Sequence, residues 1–257
     1  MTLPVCYNAS MMTNRQGKLL NILIDNYIKT AEPVSSKALV KSGPFSLSSA
    51  TIRHEMNALE KAGYLTHLHT SSGRVPTSKA YRLYVDNLMA DPGIYVPETT
   101  KKKIHKAISD ASNDPEELNR VVANIVSVLS DNIVVTNVKD SDNFYKTGLS
   151  GLFEFPEFRE FERVFNVASV FDHFDTMFSR IENAFFGIDE SDITVLIGAE
   201  SQIKNMKEEA VILVRYPLPN RKTGSMTIIG PKRMDYEKNI GLARYVVDEF
   251  KNKFKNI

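Results

Sequence analysis

The chain has 257 residues, 42% hydrophobic and 25% charged, which is room for two ordinary domains and the composition of a globular chain rather than a disordered or membrane one. Cys6 is the single cysteine, which excludes an internal disulfide or a multi-thiolate metal site within one chain and fits a reducing, cytoplasmic setting; no apolar run reaches the roughly 18 residues of a membrane span, and no secretory leader is recognisable at the start. The net charge of +1 hides a split, because residues 1–91 carry 10 Lys and Arg against 6 Asp and Glu, a net +4, and the rest 22 against 25, a net −3.

Residues 1–12 lack periodicity and read as a tail, with Met1, Met11 and Met12 as alternative starts. Thr13 reads as the N-cap of a helix whose face carries Leu19, Leu20, Leu23 and Tyr27, and Pro33 requires that helix to stop before it. A short second helix starts at Val34-Ser35-Ser36, passes Leu39 and Val40 and ends at Ser42-Gly43-Pro44. Ser48-Ser49 caps a third helix over 50–62, closed by Gly63. Ile52, Met56 and Leu59 form its buried stripe and leave Arg53, His54, Asn57 and Lys61 on or beside the opposite face. Three short helices with a polar face on the third are the pattern of a helix-turn-helix DNA-binding unit, although such a face is more often simply solvated.

The segment beyond Gly63 favours DNA binding. Residues 64–69 alternate as a strand, 70–74 are a polar turn and 75–77 return, making a two-stranded wing. Its tip carries Arg74 among Thr70, Ser71 and Ser72, a composition suited to phosphate contact or minor-groove insertion. His67 and His69 point the same way, but two histidines with no nearby carboxylate or thiolate make a poor metal set. His69 is assigned instead to a hydrogen bond within the wing or to the DNA backbone. Residues 13–77 thus read as a DNA-binding domain.

Residues 78–96 read as a connector helix and linker, with Tyr81, Tyr84, Val85 and Leu88 on one side and Asp91-Pro92-Gly93 as its end. Pro97-Glu98 opens another helix whose Lys101-Lys102-Lys103 is a solvated first turn. Asp114-Pro115-Glu116-Glu117 starts a helix to Ser130 with a wide apolar face of Leu118, Val121, Val122, Ile125, Val128 and Leu129. A strand over 133–137, a turn at 148–151, helices over 161–170 and 171–186, strands over 193–197, 210–216 and 225–229, and a last helix over 236–254 complete an α+β domain from 97 to 257. Residues 220–224 join the last two strands as a hairpin. The phenylalanines at helical spacing in 171–186 are packing.

No phosphate-cradling, dinucleotide, zincin or nucleophile-elbow spacing occurs, so neither enzymatic activity nor a cofactor is expected. Glu116-Glu117 and Glu208-Glu209 read as solvated or dipole-complementing pairs at helix starts or turns, and Arg233, Asp235 and Tyr236 as a cap and ion-pair group at the entry to the last helix.

Several stretches resemble the HrcA family of bacterial heat-inducible transcription repressors: Thr30-Ala31-Glu32-Pro33-Val34-Ser35-Ser36, Leu47-Ser48-Ser49-Ala50-Thr51-Ile52-Arg53, His69-Thr70-Ser71-Ser72-Gly73-Arg74-Val75-Pro76-Thr77 and Gly224-Ser225-Met226-Thr227-Ile228-Ile229-Gly230-Pro231-Lys232-Arg233-Met234-Asp235-Tyr236. His54, Leu68 and Ala80 depart from the family's usual Asn, Pro and Gly. The resemblance implies a winged helix-turn-helix followed by a GAF-like α+β domain. It also implies repression of chaperone genes from an inverted-repeat, CIRCE-type operator in double-stranded DNA, bound as a homodimer, and a GroEL-type chaperonin as partner. The candidate DNA contacts are Ser48, Ser49, Thr51, Arg53, His54, Asn57 and Lys61 on the third helix and His69, Thr70, Ser71, Ser72 and Arg74 on the wing. Family members run to well over 300 residues and carry more sheet and a dimerisation insert where this chain has only 131–147. The GAF-like sheet is therefore expected to be reduced, and the dimer contact to fall on the connector helix around Tyr81 to Leu88 and on exposed phenylalanines. The alternatives are a regulator that binds a small effector in the GAF-like domain, and a protein-binding module with a vestigial winged helix.

Overall fold

The computed structural model describes residues 12–42, 47–68, 73–141, 143–172, 174, 192–203 and 206–254. They fall into two compact units, Met1–Ala90 and Asp91–Ile257.

In the first unit, α1 (Asn14–Thr30) begins with a reciprocal capping box between Thr13 and Gln16 and ends at Ala31, whose left-handed backbone turns the chain two residues before Pro33. Its Leu19, Leu20, Leu23 and Ile24 are buried, as are Leu39 of α2 (Ser36–Ser42) and Ile52, Met56 and Leu59 of α3 (Ser49–Lys61). Each such side chain contributes about 1.5–3 kcal/mol of gross burial energy, so this three-helix apolar stripe is the main support of the unit. Ser48 caps α3 by accepting from the Thr51 amide, and Gly63 follows at φ +79°. The wing is an antiparallel pair, β1 (Leu65–His67) and β2 (Arg74–Pro76), with His67 opposite Arg74. The turn expected over 70–74 therefore ends one residue earlier, because Arg74 is the first residue of β2 rather than part of the tip. Helix α4 (Ser78–Ala90) closes the unit against α1, and the Tyr84 hydroxyl donates to Asp25 at 2.9 Å.

That packing corrects one expectation. Tyr81, Tyr84 and Val85 of the supposed connector are buried inside the first unit, so this side of α4 is core and offers no free dimer surface.

The second unit is a five-stranded antiparallel sheet in the order β4-β3-β7-β6-β5, formed by β3 (Ile133–Val138), β4 (Phe144–Thr147), β5 (Ile193–Ile197), β6 (Glu209–Pro217) and β7 (Thr223–Pro231). Alternate residues face opposite sides. Ile133, Val135, Leu213 and Ile229 pack with Leu152 of α7 (Leu149–Leu152), Phe158 of the short turn Pro156–Arg159, and Val167 and Val170 of α8 (Phe161–Asp172). The other face meets α6 (Pro115–Ser130), joined by α5 (Glu98–Asp110), and α9 (Tyr236–Lys253). There Tyr216 stacks on Phe250 with centroids 4.6 Å apart and donates its hydroxyl to Asn119 at 2.7 Å. Burial pushes that hydroxyl's pKa far up, so it remains a donor.

Three differences from the sequence reading stand out. Strand β4 has no counterpart among the expected elements; it pairs with β3 and sets Phe144 edge-on to Phe174 at 6.1 Å. Glu209 is not a solvated turn residue: it starts β6 at 3% exposure, and burial raises its carboxyl pKa. Val128, expected on the apolar face of α6, is 75% exposed. Of the helix expected over 171–186, Phe171 and Asp172 belong to α8, Phe174 is buried, and the rest lies outside the described residues. The group at the entry to α9 does what its composition suggests, since Asp235 accepts from the Lys238 amide and Arg233 pairs with Glu157. Phe153, Phe161 and Phe165 are exposed, the last two stacked at 6.4 Å.

Candidate nucleic-acid interface

Helix α3 turns one apolar face inward and one polar face outward. Ala50, Arg53, His54, Asn57 and Lys61 are all exposed; Ala50, His54, Asn57 and Lys61 recur every three or four residues with Arg53 beside His54, so together they form one exposed row along the helix. Ser48 is exposed at its N-terminus, with its hydroxyl 3.0 Å from that of Thr51. Ser49 faces the neighbouring helix instead: its hydroxyl lies 2.9 Å from that of Ser36 and ties α3 to α2. A hollow of about 530 Å³ beside the row is lined by His54, Asn57, Ala58, Glu60 and Lys61.

Two carboxylates that sequence reasoning passed over fix this helix in place. Glu55 is buried, pairs with Arg15 and accepts from the Gln16 side-chain amide at 2.9 Å, which holds α3 to the start of α1. Glu60 holds the wing: one oxygen accepts from Arg74 Nε at 3.0 Å and the other bonds His67 Nδ1. Burial alone would raise the Glu60 carboxyl, but the hydrogen bonds and charges of Arg74 and His67 outweigh it and hold the pKa below the ordinary glutamate value. The second arm of the Arg74 guanidinium donates to the side-chain oxygen of Asn57. Spacing contained a trace of this network, because Glu60 lies one turn beyond Asn57 while hairpin register sets His67 opposite Arg74.

The wing is also pinned at its backbone. The Val34 amide donates to the Arg74 carbonyl and the Arg74 amide to the Val34 carbonyl, each at 2.9 Å. Gly73 allows that approach, since a β-carbon there would stand 2.6 Å from the Pro33 and Val34 carbonyl oxygens. Arg53, His54, Asn57 and Lys61 thus share one exposed row, while Arg74 lies beside the row with a side chain only 12% exposed. His69, Thr70, Ser71 and Ser72 lie outside the described residues.

Among the described residues, the second unit offers less to a ligand. A cleft of about 280 Å³ lined by Tyr95, Val96, Thr100, Leu129, Lys238 and Leu242 lies away from the sheet core, below the roughly 300–1,000 Å³ of small-molecule sites. Among the described residues no group of His, Cys, Asp and Glu is placed to hold a metal ion, and no helix is long and apolar enough to cross a membrane.

Comparison with known proteins bears on both units. The heat-inducible transcription repressor HrcA of Clostridium acetobutylicum is 28% identical, the alignment covering 94% of this chain and 97% of that protein. The protein of the same name from Lysinibacillus sphaericus is 28% identical over 90% of this chain and 95% of its own length. The first alignment runs over 342 positions against 257 residues here, so the relative carries a stretch this chain lacks. A crystal structure described as a hypothetical protein matches with TM-score 0.74 at 20% identity, covering 95% of this chain and 98% of that one, a likeness of fold. The model for the HrcA protein C terminal domain matches residues 95–240, more than half of the chain; the chain belongs to the HrcA family of heat-inducible transcription repressors.

Proposed function

We propose that this repressor binds an inverted-repeat, CIRCE-type operator of chaperone genes as a homodimer, with α3 in the major groove and the wing along the flanking backbone. The observation that carries the reading is the exposed row of Arg53, His54, Asn57 and Lys61 on a helix whose opposite side is locked into a core and whose end is braced by the wing. A rigid helix with an exposed polar row is what base-edge recognition needs. One winged helix makes few contacts, so high specificity calls for two half-sites and two copies. Arg53 and Asn57 are assigned to base edges, Lys61 to phosphate, and Ser48 and Thr51 at the helix start to backbone oxygens.

The setting is the bacterial cytoplasm, and the regulation that fits is heat lability buffered by a GroEL-type chaperonin. A marginally stable fold held by a binding partner loses activity when unfolded proteins compete for that partner. A supporting observation is that Phe153, Phe161 and Phe165, among the described residues of the second unit, are exposed, apolar surface of the kind chaperones recognise.

The test is a mobility shift of the full chain on inverted-repeat DNA against a scrambled duplex, at stated salt. Retardation of the inverted repeat alone is expected; equal retardation of both duplexes would reject sequence-specific recognition.

A further inference from the structure

We infer that Arg74 is a positioning residue for base recognition, which turns the Asn57 amide so that this position reads a hydrogen-bond acceptor and rejects cytosine. The inference rests on the operator-binding reading above and adds the chemistry of one position within it.

A guanidinium carries donors and no acceptor. The Asn57 side chain that meets it must therefore turn its oxygen inward, as found, with Arg74 Nη2 donating to Asn57 Oδ1. Its amide nitrogen is left for the exposed side of α3, in the row between His54 and Lys61. An asparagine free to rotate can meet an adenine edge with both its atoms, whereas one whose oxygen is already engaged offers chiefly its two N–H groups. Those match N7 of either purine, O6 of guanine and O4 of thymine, and they oppose the N4 amino group of cytosine.

Arg74 is well fixed for this task. Its Nε donates to Glu60 at 3.0 Å, its backbone makes two 2.9 Å hydrogen bonds to Val34, and its side chain is 12% exposed. The Glu60 carboxylate, itself held by His67, balances its charge. Nε and Nη2 of the guanidinium are thus engaged within the protein, and the wing fixes the hydrogen-bonding sense of a residue on the recognition helix.

The experiment selects binding sites from a randomised inverted-repeat duplex with the wild-type chain, Asn57→Asp and Arg74→Met, and follows affinity for the selected site as salt is varied. Wild type should disfavour cytosine at one position per half-site by roughly fivefold, the worth of one hydrogen bond. Asn57→Asp, at an exposed position, keeps the partner of Arg74 but shows the DNA an acceptor, and should turn the same position towards cytosine. Arg74→Met should erase the preference there and leave the slope of log affinity against log salt unchanged. A slope lowered by about one with the preference intact would make Arg74 a phosphate ligand and overturn the inference, as would an Asn57→Asp chain that selects the wild-type site. If wild-type protein selects no site at all, operator binding itself fails, a result distinct from either.

Discussion

Replacing Gly73 with alanine tests how the wing is held. The added β-carbon would sit 2.6 Å from three backbone atoms, the Pro33 and Val34 carbonyl oxygens and the Val34 carbonyl carbon. Backbone cannot rotate aside as a side chain tip can, so β2 must retreat from Val34. Retreat breaks the two 2.9 Å hydrogen bonds between Val34 and Arg74. At about 1 kcal/mol net per bond, the first unit loses about 2 kcal/mol. A domain of some 90 residues shifts by about 4–8 °C per kcal/mol, so its Tm should fall by about 8–16 °C. Scanning calorimetry of the full chain reads this directly, with the second unit's transition as internal reference. A Tm within about 2 °C of wild type would show that the wing does not pack against Val34 as described, and the brace on Asn57 would fall with it.

Gly148→Ala should destabilise the second unit by about 2–3 kcal/mol, because its φ is +90° and a β-carbon would lie 2.2 Å from the Asn132 carbonyl oxygen; an unchanged urea midpoint for that unit would contradict the turn. Arg53→Ala should reduce discrimination between operator and mutated operator, whereas Lys61→Ala should weaken binding to all sequences and lower the salt slope by about one; identical binding profiles for the two variants would undo their assignments. The Glu60 carboxyl is held below its ordinary value of 4.5 by Arg74 and His67 against the opposing effect of burial. Its contribution is therefore complete above that value and is lost as pH falls through the lower, folded-state pKa. Glu60→Gln should remove that part of the acid dependence of the first unit's Tm, and a variant losing stability below pH 4.5 as steeply as wild type would reject the linkage.

Where local chemistry decides the structure, the sequence is readable almost residue by residue. Thr13, Ser48, Asp114 and Asp235 each cap the helix they precede, and the stripe Ile52, Met56, Leu59 is buried as its spacing demands. Where tertiary pairing decides, it is not. Phe144–Thr147 is four residues of mixed polarity behind a polar turn, and only the β3 edge makes it a strand. The apolar side of α4 looks free for a partner in the sequence because nothing local reveals that Tyr84 reaches Asp25, 59 residues earlier. The same holds at the interface. The exposed row on α3 follows from helical period, but Glu55 and Glu60 look like ordinary surface carboxylates until long-range packing sets Arg15, His67 and Arg74 against them. Arg74 reads as a wing-tip cation for the same reason: its place in the chain is plain and its partner is not.

The most direct test of the central claim is the mass of the complex formed by the full chain on an inverted-repeat operator, taken with a mobility shift at stated salt. Two chains per duplex, together with a shift abolished when either half-repeat is scrambled, is the predicted result. Folded protein that leaves the duplex unshifted, or a single chain binding with full specificity, would contradict it.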